Sequence, residues 1–278
     1  MKALFDETSF KTSRLTTELY STSFSLGTKF LADDISKAIY GIYGFVRFAD
    51  EIVDTFHAYD KQYLLEKFRN DTYEAIEHKI SLNPILNSFQ HVVHNYNIER
   101  ELIDTFLESM AMDLKKFEYN QKGYEQYILG SAEVVGLMCL RVFVYGDDEK
   151  YKELEYSAMK LGAAFQKINF LRDLKADFKG MGRSYFPGVD LSNFGDSEKK
   201  KIEQEIMMDF AEGYAGILRL PKSSRFGVYL AYLYFFQLLK KIQRTDAQKI
   251  LTKRIRIANP WKYVLFVESY LKHSLNLI

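Results

Sequence analysis

Apolar residues recur at helical spacing along almost the whole chain, and the pattern predicts a succession of helices. Asp33 and Asp34 stand ahead of a run from about Ser36 to Phe56, where acids suit the start of a helix. Further helices are predicted at roughly Lys61–Lys79, Pro84–Asn95, Glu99–Glu118, Tyr124–Tyr145, Glu149–Asp177, Ser197–Leu218, Ser223–Arg244 and Trp261–Leu275. Breakers punctuate them at Asn83-Pro84, Asn120 to Gly123, Gly146 to Asp148, Leu220-Pro221 and Asn259-Pro260. The longest irregular stretch, Lys179 to Asp196, holds Gly180, Gly182, Pro187, Gly188 and Gly195. A loop of that length inside a compact helical domain is often functional. No sustained period-two alternation and no fixed repeat appears, so the expected class is all-α.

Composition narrows the picture further. The 278 residues are 47% apolar and 27% charged, which suits a globular chain rather than a disordered one. Nothing separates two halves, so one domain spanning 1–278 is expected. Lys and Arg number 38 against 37 Asp and Glu, and a net charge of +1 gives no field for nucleic acid. One cysteine, Cys139, cannot form an internal disulfide, which fits a reducing compartment. The opening residues MKALFDETSFK carry acids and hydroxyls where a secretion signal needs an apolar core. The longest apolar stretch, Gly227 to Leu239, falls short of the ~20 residues of a membrane span. The expectation is a soluble, cytoplasmic protein, with weak peripheral contact at the inner membrane face left open.

Chemistry enters with two aspartate pairs. In Ile39 to Phe56, Asp50 and Asp54 are four apart, so a helix projects both carboxylates from one face, with Tyr43 and Arg47 on the same stripe. In Gly162 to Phe178, Asp173 and Asp177 repeat the spacing, with Gln166 and Asn169 on their stripe and Arg172 beside it. Other acidic pairs share the spacing (Asp104/Glu108, Glu149/Glu153, Glu205/Asp209) and read as solvated helix faces. The two Asp pairs differ in their apolar, aromatic and amide surroundings, where like charges repel and lose hydration unless a cation joins them. Carboxylate oxygens suit Mg²⁺, which is usually shared between a few carboxylates and substrate phosphates. Arg47, Arg172 and Arg183 are placed to contact phosphate oxygens. His91 and His94 lack an accompanying E-x-x-H motif and read as isolated histidines. The Lys253, Arg254, Arg256 cluster reads as a solvated helix face.

These residues also carry a resemblance. STSFSLGTKFL…AIYGIYGFVRFADEIVD resembles the first signature of squalene and phytoene synthases, an S-x-S-F run followed by R-x-x-D-x-x-x-D. LGAAFQKINFLRDLKADFKGMGRSYFP resembles their second, Q-x-x-N-x-x-R-D-x-x-x-D with a following R-x-Y-x-P loop. YILGSAEVVGLMCLRVF is similar to the segment between them, with Glu133 and Val134 in place of Gly-Thr.

The resemblance implies an isoprenoid-synthase-type helical bundle around a central apolar cavity. It implies Mg²⁺-dependent head-to-head condensation of two isoprenoid diphosphates, with Mn²⁺ able to substitute. It places Asp50, Asp54, Asp173 and Asp177 at magnesium with Asn169 nearby. It places Ser21, Arg47, Gln166 and Arg172 at diphosphate, and Phe24, Tyr127 and Tyr234 in the cavity. The reading is a phytoene synthase using two geranylgeranyl diphosphates, because Gly27 and Thr28, one turn beyond Phe24, are small where a bulky ring would shorten the tunnel; a squalene or dehydrosqualene synthase using farnesyl diphosphate is the alternative. NADPH is expected only if the product is squalene. A third reading is a family member without catalysis that serves as an assembly factor, against which the intact Asp pairs, Gln166 and Asn169 stand. Oligomeric state is not given by the sequence.

Overall fold

The computed structural model describes residues 1–114, 120–176, 186–189 and 194–257, and these contain helices and connections but no strand. In chain order the helices are α1 (Lys2–Tyr20), α2 (Thr22–Thr28), α3 (Asp33–Asp54), α4 (Lys61–His78), α5 (Pro84–Tyr96) and α6 (Arg100–Asp113). Then follow α7 (Gln121–Ile128), a π turn (Leu129–Glu133), α8 (Val134–Phe143), α9 (Asp148–Ala176), α10 (Asp196–Ile217), α11 (Lys222–Gln243) and the short α12 (Ala247–Ile250).

The ends of these helices follow local chemistry. Asn83 accepts from the Ile85 amide at 3.0 Å with Pro84 in the first turn, and Asp60 accepts from Tyr63 at 3.0 Å. Asn120 accepts from Gly123 at 2.8 Å. Each side chain satisfies a backbone donor that the first helical turn leaves unpaired. α4 and α5 stop at Lys79 and Asn97, both in the left-handed conformation that ends a helix.

α1 and α2 lie outside the predicted helices, for a physical reason. The buried face of α1 is Ser9, Ser13, Thr16 and Thr17, so no apolar stripe marks it. Its inward contacts are polar: hydrogen bonds join Ser13 to Ser88 at 2.6 Å and Asn87 to Ser9 and to Asp6 at 3.0 Å each, and His91 Nε2 lies 3.1 Å from the Asp6 carboxylate. His91 therefore ties α5 to α1, and His94 bonds the Ile76 carbonyl at 2.8 Å.

The core gathers on α3, α5 and α6, where the Phe45 ring stacks on Phe89 at 3.9 Å and approaches Phe106 at 5.3 Å. α9 is the long spine, about 44 Å at 1.5 Å per residue, packed against α8, α10, α11 and the π turn. Close approach there needs glycine: a Cβ on Gly162 would lie 2.6 Å from the Ala132 carbonyl oxygen. The stretch 121–143 is long and apolar enough to cross a membrane by composition, contrary to the expectation drawn from Gly227–Leu239. The π turn interrupts it, and it packs against α6 and α9 inside the bundle.

One acidic pair read as solvated is not. Asp209 is buried and pairs with the buried Lys167 ammonium at 2.7 Å, while Glu205 meets the same ammonium from the edge. Period-four spacing cannot distinguish this pair from Glu149/Glu153, because the partner lies on another helix.

Candidate active site

Two adjoining cavities occupy the bundle. The larger, of about 230 Å³, is walled by α2, α3, α8, α9, α10 and α11 and is almost wholly apolar, with Phe24, Ile39, Leu140, Phe143, Leu161 and Phe165 among its lining. The smaller, of about 170 Å³, is lined by Tyr43, Val46, Arg47 and Asp50 of α3, Phe106 and Met110 of α6, Tyr127, Ser131 and Gln166. Ser131 and Gln166 belong to both linings, so the polar cavity adjoins the apolar chamber at these two side chains.

α3 delivers the acids because 43, 47, 50 and 54 share one helical face. Asp50 is pushed up to about 7, first by burial and next by the charge of Asp54, with Asp113 and Glu51 adding to the pull of those two against Arg47. Its side chain keeps 34% exposure, and it lines the polar cavity. Arg47 forms ion pairs with Asp50 and Glu51, and its guanidinium lies 4.4 Å from the centre of the Tyr20 ring. Its Nε is buried with no acceptor, a donor available to an anion.

The α1–α2 junction closes over this face. Ser21 accepts from the Phe24 amide at 3.2 Å to cap α2, facing Tyr43, whose hydroxyl is raised by burial. Phe24 stacks on Tyr43 at 4.9 Å. Gly27 lines the chamber, but its lack of a side chain serves packing: a Cβ there would meet the Gly227 carbonyl oxygen of α11 at 3.1 Å. Its small size therefore serves the helix crossing as well as the chamber wall.

On α9, Gln166, Asn169 and Asp173 share a face by spacing, and Gln166 places that face at the polar cavity. Asn169 Oδ1 is buried without a donor. Asp173 receives Arg172 Nε at 3.1 Å and Arg254 Nε at 2.6 Å. Arg254 thus sits on the second acidic motif in a non-helical segment, not on a solvated helix face. Asp177 and Arg183 lie outside the described residues, as does Trp261–Leu275. Tyr234 lies outside both linings, on α11 with its ring 5.5 Å from Phe235. Cys139 lines the apolar chamber, and burial pushes its thiol up to about 12.

Among the described residues no three acids, histidines or cysteines converge into a preformed metal cage. The donors nonetheless suit a hard divalent ion that arrives with a phosphate. Asn169 offers an orphaned oxygen, and Asp50 resists ionising beside Asp54 until a cation joins them. Glu51, Asp113 and Tyr20 were not singled out from sequence. Asp113 has no acid four residues away, so a spacing search passes over it; its signal is a lone acid in the apolar turn Met110–Leu114.

This architecture defines a class: an all-helical fold with a polar, acid-lined cavity leading to an apolar chamber. The squalene/phytoene synthase family model matches residues 17–261, and the chain belongs to that family. Phytoene synthase 1, chloroplastic, of Solanum lycopersicum is 26% identical over 91% of this chain and 65% of its own length. Phytoene synthase 1, chloroplastic, of Zea mays is 28% identical over 93% and 67%. The chain therefore spans about two thirds of the length of these plant relatives. A dehydrosqualene synthase crystal structure superposes with a TM-score of 0.82 at 21% identity, covering 96% of this chain and 98% of the other. Squalene synthase HpnC from Alicyclobacillus acidocaldarius gives 0.74 at 22%, covering 86% and 94%. The fold is that of these isoprenoid synthases.

Proposed function

We propose that this protein is a prenyl transferase that joins two geranylgeranyl diphosphates head to head into phytoene. The observation that carries the reading is the contact of the two cavities at Gln166 and Ser131, an arrangement that would let a diphosphate sit beside Asp50 and Arg47 while its isoprenoid tail enters the apolar chamber. The names of the plant relatives support the C20 substrate. The neighbouring structures, which share only the fold, keep farnesyl diphosphate as the alternative.

Arg47 donates through its unpartnered Nε to a phosphate oxygen, and Gln166 offers its amide at the junction. Asp50, Asp54, Asn169 and Asp173, with Asp177 by resemblance, would hold Mg²⁺, which supplies charge neutralisation for the departing diphosphate. As one substrate's C–O bond breaks, the leaving diphosphate takes the electron pair. The allylic cation is attacked by the second substrate's double bond, and proton loss closes the cyclopropylcarbinyl diphosphate. A second ionisation, rearrangement and proton loss give the hydrocarbon. This balance requires no reductant, so NADPH has no role unless a hydride replaces the last proton loss. Tyr43, Phe24 and Phe165 put aromatic rings in the two linings, where they would favour cationic carbon, and the apolar walls would keep water away from it.

Incubating purified protein with each diphosphate and Mg²⁺, followed by product mass analysis, tests the reading. A C40 hydrocarbon is expected, and exclusive C30 product would transfer the assignment to a farnesyl-using enzyme. Pyrophosphate release undiminished by Asp50→Ala and Asp173→Ala would remove the site. We further propose a cytoplasmic protein of one domain, with contact at the inner membrane face for release of so apolar a product.

A further inference from the structure

Behind the wall of the polar cavity sits a carboxylate that the condensation chemistry leaves without a role. Asp113, at the last residue of α6, is 5% exposed and accepts a hydrogen bond from the Tyr127 hydroxyl at 2.7 Å. Tyr127, also 5% exposed, lines the polar cavity with Asp50 and Gln166, whereas Asp113 does not. The pair is held by backbone packing. Ser109 lies one helical turn before Asp113, and Gly130 lies one turn after Tyr127. A Cβ on Gly130 would stand 2.5 Å from Ser109 Cβ and 2.7 Å from the Thr105 carbonyl oxygen. Only glycine at 130 lets α6 approach the π turn closely enough for Asp113 to reach the tyrosine. Ser131, the next residue, donates to the Tyr127 carbonyl at 2.7 Å, fixing the same turn from inside the cavity.

We propose that Asp113 is a positioning residue for Tyr127: it directs the phenolic proton away from the cavity, so that the oxygen's lone-pair side faces the substrate, and it receives that proton when the tyrosine accepts one. This inference rests on the prenyl-transferase reading. The step balances within the chain. A C–H bond of the cation breaks and its electron pair becomes the new carbon–carbon bond. Tyr127 Oη gains that proton as its own proton passes to Asp113 Oδ2, leaving a neutral acid and a neutral phenol. The acid then loses its proton to the departing pyrophosphate or to water between turnovers. An oxygen with its hydrogen directed outward presents the negative end of its dipole to a carbocation, which an unrestrained phenol would do only part of the time.

The test uses Asp113→Asn, Tyr127→Phe and the double variant, assayed with whichever allylic diphosphate the wild type consumes. Asp113→Asn should lower kcat about a hundredfold while KM stays within about threefold, because no residue lining the polar cavity is replaced and the charge of Asp113 is only a lesser influence on Asp50. Added to Tyr127→Phe, it should cost far less than it does alone, since most of its effect passes through that hydroxyl. Asp113→Glu, which keeps the carboxylate, should retain more activity than Asp113→Asn. Wild-type kcat in Asp113→Asn, or fully multiplicative losses in the double variant, would overturn the inference. So would loss of cooperative unfolding in both Asp113 variants, which would assign the carboxylate to the fold. A wild type that releases no pyrophosphate from either substrate would instead defeat the underlying functional reading.

Discussion

Replacing Asp50 by asparagine removes a charge that the fold holds at a cost, so the variant should be more stable than the wild type in the absence of metal. The sign follows from linkage. Asp50 titrates at about 7 in the folded protein against an ordinary 3.8, so the folded state binds the proton more tightly. Below about pH 4 the group is neutral in both states and contributes nothing. As pH rises toward 7 the unfolded chain ionises first, and stability falls until the folded group ionises too. The gap between those two values corresponds to a ceiling of about 4 kcal/mol. Because the side chain keeps 34% exposure, solvent screening reduces the expected gain to about 1–2 kcal/mol. For a chain of this size that is roughly 2–4 °C in Tm. Thermal melts of wild type and Asp50→Asn in EDTA between pH 4 and 9 measure it: coincident curves at pH 4, and a variant advantage that grows to a plateau above pH 8. Excess Mg²⁺ with inorganic pyrophosphate should reverse the order by stabilising the wild type alone. A variant less stable than wild type at pH 8 in EDTA would refute the reasoning, because it would mean that the Arg47 ion pair outweighs burial and the repulsion from Asp54.

Other substitutions test the scaffold. Lys167→Met takes the 2.7 Å partner from the buried Asp209 carboxylate and leaves it only Lys160 at 3.6 Å, and should cost up to about 3–5 kcal/mol, read by urea unfolding; Lys167→Met with Asp209→Leu should recover most of it, and equal losses in both would show that the pair is not what holds α9 to α10. Gly162→Ala forces α9 off the π turn at the Ala132 carbonyl and should cost about 1–3 kcal/mol in the same assay, with an unshifted midpoint counting against the close approach. Because the Cys139 thiol is raised to about 12 by burial, the folded protein should resist a thiol reagent at pH 8 and react with one equivalent after denaturation. Labelling within seconds in the native state would place that thiol in solvent.

The motif helices were legible because their signal is local. Asp50 and Asp54 share a face by spacing alone, as do Gln166, Asn169 and Asp173, and their apolar company marked them as different from solvated acids. The helix ends were legible for the same reason, since Asn83-Pro84 and Asn120 act within their own turns. α1 was not, because its inward face is serine and threonine, and its partners Asn87, Ser88 and His91 lie on α5.

The sequence by itself determined the helical class, the two acidic motifs and the chemistry their side chains suit, because side-chain type and a 3.6-residue period act over a few neighbours. Tertiary structure alone decided that Asp209 is a buried partner of Lys167 and that Arg254 rests on Asp173. It also decided that Gly27 is small to admit α11 and that Asp113 stands behind Tyr127. Each of these depends on which helix lies opposite, and burial and pairing across helices are set by packing that no single stretch of chain encodes.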